Sequence, residues 1–136
     1  MSTYAPASVE SDRQIPALVG EVEPGWQPLL MGLHERLVRL APDYRLEELT
    51  AKLGGLQMYI ADRFDEYGEF DGDWADTAGA LRTEIEALAQ QTCEVCGDTG
   101  RTRFHGALLR TMCDVCHYTG QETALSLGWQ GRASLN

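Results

Sequence analysis

Two cysteine pairs, Cys93-Glu94-Val95-Cys96 and Cys113-Asp114-Val115-Cys116, decide how the last third of this chain folds. Two residues between paired cysteines allow both thiolates to bind one ion from a single tight turn. Sixteen residues separate the pairs, which is enough for a short hairpin that returns the second pair to the same ion. The spacing therefore predicts a zinc site with four ligands, Cys93, Cys96, Cys113 and Cys116.

The completeness of this ligand set predicts a structural zinc ion and a protein that is not an enzyme. Catalytic zinc keeps an open position for water, usually beside histidine or carboxylate ligands, whereas four cysteines fill the coordination sphere. The sequence has no His/Cys-x-Glu ahead of the second pair, as a zinc deaminase would need. Only His105 lies between the pairs, and a histidine-rich nuclease hairpin needs more than one.

Other interpretations of the cysteines have less support. Cys113-x-x-Cys116-His117 formally matches a c-type haem attachment motif, but haem attachment needs export. The first twenty residues have no basic start and no apolar run, so they do not resemble a signal peptide. No stretch reaches the apolar length of a membrane span. We therefore expect a cytoplasmic protein, in which metal-bound thiolates are favoured over disulfides. His117 could contact the metal site, but a partly exposed helix residue is the simpler interpretation.

The net charge of −10 is concentrated upstream of the cysteines. Residues 1–92 hold seventeen acidic residues against seven Lys/Arg, and residues 93–136 hold four of each. An acidic surface repels a phosphate backbone, and nucleic-acid binders carry basic patches. The charge therefore favours a protein partner, for example a basic nucleic-acid-handling protein, over nucleic acid itself.

Apolar periodicity predicts an α+β protein in three parts. Residues 1–23 are predicted to be an irregular arm, residues 24–92 an acidic helical region, and residues 93–136 a four-cysteine zinc-finger module. Within the helical region, the leucine spacing predicts helices over residues 26–41 and 44–53 and from residue 73 or 74 to 88. Alternation over residues 56–60 is compatible with one short strand.

The segment from Asp62 to Asp76 holds seven acids and one arginine, interleaved with four aromatic residues. Its spacing does not fit an EF-hand calcium loop. A surface that imitates nucleic acid, with aromatic anchors, is one hypothesis. A solvated acidic loop whose aromatics pack inward is the other. The candidate partner-binding residues are Asp62, Asp65, Glu66, Glu69, Asp71 and Asp73.

Three arginines form the one basic cluster of the sequence. Arg101, Arg103 and Arg110 fall on the two arms of the hairpin predicted around Gly106. They are candidate nucleic-acid contacts if the zinc module is a regulator. The alternative is that the three arginines form a solvated face whose positive charge offsets the acidic rest of the chain.

The cysteine module resembles known zinc fingers. A turn carrying Cys93 and Cys96, a hairpin, and a helix carrying Cys113 and Cys116 resemble the treble-clef class, with spacing close to that of GATA-type fingers. Zinc ribbons are the nearby alternative. The resemblance covers about residues 93–128 and implies a structural metal site.

Three motifs in order resemble a group of small, uncharacterised bacterial and phage-borne proteins. They are Pro24-Gly25-Trp26, the stretch over residues 51–59 (AKLGGLQMY), and Cys93-Glu94-Val95-Cys96-Gly97 followed by Cys113-Asp114. The resemblance covers about residues 24–117 and implies one integrated unit from a mobile element or a defence system. It implies no activity.

Taken together, these features predict a zinc-binding protein that binds another protein and inhibits or regulates it. A phage-style inhibitor or immunity-type protein is the sharper form. A zinc-finger regulator that contacts nucleic acid is the alternative from another class, and a metal-dependent enzyme is the third. The sequence leaves the oligomeric state open.

Overall fold

The computed structural model describes residues 12–119, which contain four helical segments and two antiparallel β-hairpins. In chain order these are α1 (Ile15–Leu18), α2 (Gln27–Leu40), β1 (Leu46–Lys52), β2 (Gly55–Ile60), α3 (Gly72–Ala89), β3 (Arg101–His105), β4 (Leu108–Met112) and helical residues 114–119. Short 3-10 turns, Val19–Glu21 and Pro24–Trp26, join α1 to α2. The predicted α+β class is confirmed.

Helices α2 and α3 supply half of the buried residues of the main core. This core, with the helices and the β1–β2 hairpin that build it, is called the body below. Leu30, Leu33 and Leu37 of the apolar stripe predicted for α2 are buried, whereas Leu40 at its end is exposed. Pro28 stands in the first turn of α2, where a missing N–H costs nothing. Helix α3 begins after Asp71, whose carboxylate accepts the backbone N–H of Trp74 and caps the helix. The buried body residues include Ile15, Trp26, Leu30, Leu33, Leu37, Leu46, Met58, Ala78, Leu81 and Ile85. Both predicted helices are confirmed.

The helix predicted over residues 44–53 is wrong, because this segment is strand β1. The register of the β1–β2 pair shifts between Leu46 and Glu48, as a β-bulge does. The extra residue places Leu46 and Leu49 on the same face although they are three apart, a spacing that is otherwise typical of a helix. Leu53, the third leucine of the spacing that predicted this helix, is exposed in the turn. The strand suggested over residues 56–60 is confirmed as part of β2.

The arm predicted to be irregular is helical over residues 15–21, so that interpretation is wrong there. Ile15 is buried in the main core, and its backbone N–H donates to the Tyr44 hydroxyl at 3.0 Å. Gln14 donates to the carbonyl of Tyr44 at 2.7 Å. The rest of the predicted arm, residues 1–11, lies outside the described residues, as does the C-terminal stretch from Gly120.

The predicted hairpin between the cysteine pairs is confirmed as β3 and β4, and Gly106 occupies its turn with a φ of 69°. Residues 93–119 are called the finger below. No helix within residues 12–119 is both long enough and apolar enough to cross a membrane.

Candidate metal site

The four predicted cysteines come together in one cluster, with all four sulfurs within 4.8 Å of one another. The Sγ atoms of Cys96 and Cys113 are 3.6 Å apart. Four sulfurs on a tetrahedral zinc ion, at about 2.3 Å each, would lie about 3.8 Å from one another. All four cysteines are free thiols. The donor set therefore fits a metal ion, as the spacing predicted.

Tight backbone turns aim the sulfurs at one point. After the first pair, Gly97 has a φ of 89°, and its N–H donates to the carbonyl of Cys93 at 2.9 Å. The N–H of Asp98 points at the sulfur of Cys96, and the N–H of Cys116 points at the sulfur of Cys113, each at 3.4 Å. Such N–H groups stabilise thiolates and orient metal ligands.

The pKa values of the thiols shift in opposite directions within the cluster. Burial raises the pKa of Cys93, but the backbone N–H groups around its sulfur lower the pKa by more than burial raises it. The result is a pKa of about 7. The pKa of Cys116 is raised by burial and by the three neighbouring thiols. One thiolate in the cluster thus opposes the ionisation of the next thiol, because two negative charges at this distance repel each other. A divalent cation would remove that opposition.

His117 lies beside the cluster but is not part of it. Its Nδ1 is 3.0 Å from Nδ1 of His105, and the two rings meet edge to face. The ring of Tyr118 also packs edge to face on His117. The prediction that His117 is partly exposed is wrong, because these contacts leave its side chain buried. Among the described residues, the side chains that come together as possible metal ligands are the four cysteines, and His117 is not one of them.

Two glycines attach the finger to the body. The N–H of Gly25 donates to the carbonyl of Glu94 at 2.7 Å, and a Cβ added to Gly25 would lie 2.0 Å from the carbonyl oxygen of Cys93. At the far end, the hydroxyl of Thr111 donates to the carbonyl of Gly54. A Cβ on Gly54 would lie 3.0 Å from the Thr102 methyl group. The sequence showed these glycines in motifs but did not indicate that they touch the finger.

Trp26 completes the attachment next to Cys93. Its indole Nε1–H is shared between the carbonyls of Ala89 and Thr92, at 3.1 and 2.9 Å. The ring is buried in the main core. One side chain from the body therefore holds both the end of α3 and Thr92, the residue before Cys93.

Two of the three candidate nucleic-acid arginines are ion-paired within the protein. Arg103 contacts Asp114 at 2.7 Å. Arg110 contacts the buried carboxylate of Glu94 and, at 3.7 Å, that of Glu23. Burial raises the pKa of Glu94, and the guanidinium of Arg110 opposes that rise. Arg101 is exposed. The cluster therefore lies among carboxylates that offset its charge.

The acidic segment contains an ordered turn, residues 62–71, called the acidic loop below. The Asp65 carboxylate accepts the N–H groups of Tyr67 and Glu69 at 2.8 and 2.9 Å. Phe64 and Phe70 form a β-bridge, and their ring centroids are 6.0 Å apart, edge to face. Gly68 has a φ of 82° in the turn. Asp65 therefore organises the loop.

The aromatic side chains of the acidic loop face solvent. Phe64, Tyr67 and Phe70 are 62%, 81% and 55% exposed, whereas Trp74 beyond the loop is buried. The inward-packing interpretation is thus wrong for the first three and correct for Trp74. Of the predicted partner-binding acids, Asp65 and Asp71 bond to backbone N–H groups. The exposed remainder are Asp62, Glu66, Glu69 and Asp73.

Comparison of the chain with protein-family models, with curated proteins and with solved structures found no match. The resemblance to bacterial and phage-borne proteins remains a prediction from its motifs.

Proposed function

We propose that the four cysteines hold one structural zinc ion. Zinc accepts four thiolates in a tetrahedral arrangement, and the sulfur separations here agree with one. Bound zinc would offset half of the negative charge of four thiolates and close the finger. The expected result is one zinc per folded chain by elemental analysis. Cys116→Ser should lower the zinc affinity, whereas Thr119→Ser, a change in a residue outside the ligand set, should leave it unchanged. Less than one zinc per chain, with another metal in its place, would overturn the choice of zinc.

We further propose that the protein is not an enzyme and that it binds a basic protein through the acidic loop. One observation carries this proposal: three aromatic side chains are more than half exposed on a loop that its own hydrogen bonds hold in shape. Large exposed apolar groups clustered on a soluble protein mark interaction sites. Aromatic residues dominate the binding energy of protein interfaces.

The charge around those aromatics supports a basic partner. The loop carries five carboxylates and one arginine. That arginine, Arg63, is paired outside the loop, because it contacts the exposed Asp43 at 2.7 Å and lies over the ring of Trp74. A negative surface accelerates association with a positive one and rejects like-charged partners. Preformed loops also lose less conformational entropy on binding.

The sharper form of the proposal is an inhibitor or immunity-type protein from a mobile element, acting in the cytoplasm. Carboxylates around exposed rings would occupy a cleft that otherwise receives phosphates. The partner class is then a basic nucleic-acid-handling protein. The alternative, direct binding of nucleic acid through the finger, has less support, since Arg103 and Arg110 are already paired with carboxylates.

The test is binding of the zinc-loaded protein to a panel of purified basic nucleases, recombinases and histone-like proteins, with acidic proteins as comparison. Tyr67→Ala should weaken binding by about tenfold or more. The double change Glu66→Gln with Glu69→Gln should slow association and reduce its salt dependence. Asp65 and Asp71 are left intact because they hold the loop and cap α3.

Matched controls come from α2. Leu40 is 55% exposed, so Leu40→Ala removes exposed apolar surface outside the loop. Glu35→Gln removes an exposed charge away from the loop. Equal effects of loop and control variants would refute the proposed surface. Binding to duplex DNA that is lost on Arg101→Ala would instead favour the nucleic-acid regulator.

A further inference from the structure

Strand β1 has a free edge over its second half. The described residues contain no strand other than β2 that pairs with β1. The beginning of the edge is occupied, because Arg13 accepts the N–H of Leu46 and donates to the carbonyls of Leu46 and Glu47. Beyond Glu48 no described residue continues this pairing. The open edge therefore runs from Glu48 to Lys52.

The contacts of β2 show which backbone groups of β1 point outward. The N–H of Met58 donates to the Glu86 carboxylate at 3.1 Å, and Arg82 donates to the Met58 carbonyl. Met58 thus directs both backbone groups away from β1. Leu49 is the partner of Met58 in the register, so Leu49 directs its own N–H and carbonyl groups away from β2. Antiparallel ladders alternate, and Ala51 repeats this arrangement two residues later.

The two edges of this small sheet differ in whether their outward backbone groups have hydrogen-bond partners. On the β2 side, Arg82 and Glu86 of α3, themselves paired at 3.6 Å, satisfy the outward backbone groups of Met58. On the β1 side, the N–H and carbonyl groups of Leu49 and Ala51 have no partner within residues 12–119. Unpaired edges are templates for strand addition. Ala51 is exposed and Leu49 half-buried, so an added strand would also cover apolar surface.

We propose that this edge pairs with the same edge of a second copy of the chain. Two antiparallel β1 strands can be placed with Thr50 opposite Thr50 on the two-fold axis. Leu49 of each copy then lies opposite Ala51 of the other copy. In both of these pairs the outward N–H and carbonyl groups form hydrogen bonds between the copies. The result is a four-stranded sheet with β2 at each outer edge.

The side chains support this register. With Thr50 on the axis, Glu48 of each copy lies directly opposite Lys52 of the other. Opposite charges in directly facing pairs stabilise sheets, and like charges destabilise them. Strand β1 therefore carries both the acidic and the basic residue of each pair, so that it is complementary to a second copy of itself, as an isologous interface requires. A partner of different sequence would gain this match only if it carried a basic residue opposite Glu48 and an acidic residue opposite Lys52.

The dimer should be weak, because two short strand segments bury less area than a stable interface needs. The test is analytical ultracentrifugation of the zinc-loaded full chain from about 10 µM to about 1 mM, a range that brackets weak association. We expect a reversible monomer–dimer equilibrium. A chain that stays monomeric over this range would overturn the proposal.

Charge exchange tests the register. Glu48→Lys and Lys52→Glu should each weaken dimerisation by about tenfold, since each replaces two attractive pairs with two repulsive ones. The double variant should restore it to within about twofold. Repulsion between two chains of net charge −10 predicts the opposite for Glu48→Lys, namely a tighter dimer. Glu35→Lys, on α2, is the control with the same change in net charge.

Amide hydrogen exchange distinguishes the edge from the rest of the sheet. The N–H groups of Leu49 and Ala51 should become protected as concentration rises. Those of Thr50 and Lys52, which face β2, should be protected throughout and report that the hairpin is intact. Ala51→Pro removes one outward donor and should abolish the dimer without exposing Thr50. Protection of Leu49 and Ala51 in a monomer would assign the edge to another segment of the same chain and refute the proposal.

Discussion

Gly25 stands where the body and the finger come closest. Its neighbours across the contact are the carbonyl groups of Cys93 and Glu94, which are backbone atoms that cannot move aside like a flexible side chain. The same residue donates its N–H to Glu94. Gly25 is needed for this close approach rather than for an unusual φ. The first metal ligand depends on it directly.

Gly25→Ala should therefore destabilise the zinc-loaded protein by about 2 kcal/mol or more, because the methyl group would force the backbone of residues 93–94 away. Urea unfolding measures the change. Gly32→Ala is the control: a Cβ there meets nothing within 4 Å, and the residue lies inside α2. That substitution should stabilise by about 0.5–1 kcal/mol. Equal effects at both positions would contradict the proposed contact.

At the scale of elements, the β1–β2 turn combines strain with a contact to the finger. Leu53 and Gly54 both have positive φ, 55° and 79°, as a two-residue type I′ hairpin turn requires. Leucine is poorly suited to that region, and its side chain is 78% exposed. Gly54, in contrast, is packed against β3 and β4.

Substitutions in this turn should have opposite signs. Leu53→Asn should stabilise the protein by about 1 kcal/mol, because asparagine tolerates the left-handed region better. Gly54→Ala should destabilise by about 1–3 kcal/mol, since it adds both backbone strain and a close contact with Thr102. Thermal unfolding of both variants measures this. Destabilisation by Leu53→Asn would mean that the leucine side chain makes a contact that matters.

The same hairpin shows where sequence reasoning succeeds and fails. Helices α2 and α3 were predictable because each has a long stripe at a 3.6-residue period. Strand β1 was not, because a bulge gave Leu46 and Leu49 a helix-like spacing. The cysteine ligands were predictable from local spacing alone. The contacts of Gly25 and Gly54 were not, because they join segments distant in sequence, and only the folded chain brings those together.

At the scale of the whole molecule, the body and the finger have separate apolar clusters that polar contacts join. The body cluster includes α2, α3 and the β1–β2 hairpin, whereas the finger cluster consists of Cys93, Met112 and Cys113 with Cys116 against them. The contacts that join them include Gly25 with Glu94, Gly54 with Thr111, and the ion pair of Glu23 with Arg110. A metal ion held by the four cysteines would therefore complete the small core of the finger, whereas the body has a larger core of its own.

Removal of the metal should accordingly loosen the finger and spare the body. A strong chelator should expose the amides of residues 93–116 to hydrogen exchange while α2 and α3 remain protected, and the unfolding midpoint should fall by about 10 °C or more. The indole N–H signal of Trp26 should shift in NMR spectra, because its acceptor Thr92 adjoins Cys93. The indole of Trp74, which donates to Ala61 within the body, is the internal control. Simultaneous loss of both indole signals would mean that the body cannot fold without the metal, and an unchanged Trp26 signal would mean that the finger keeps its structure without one.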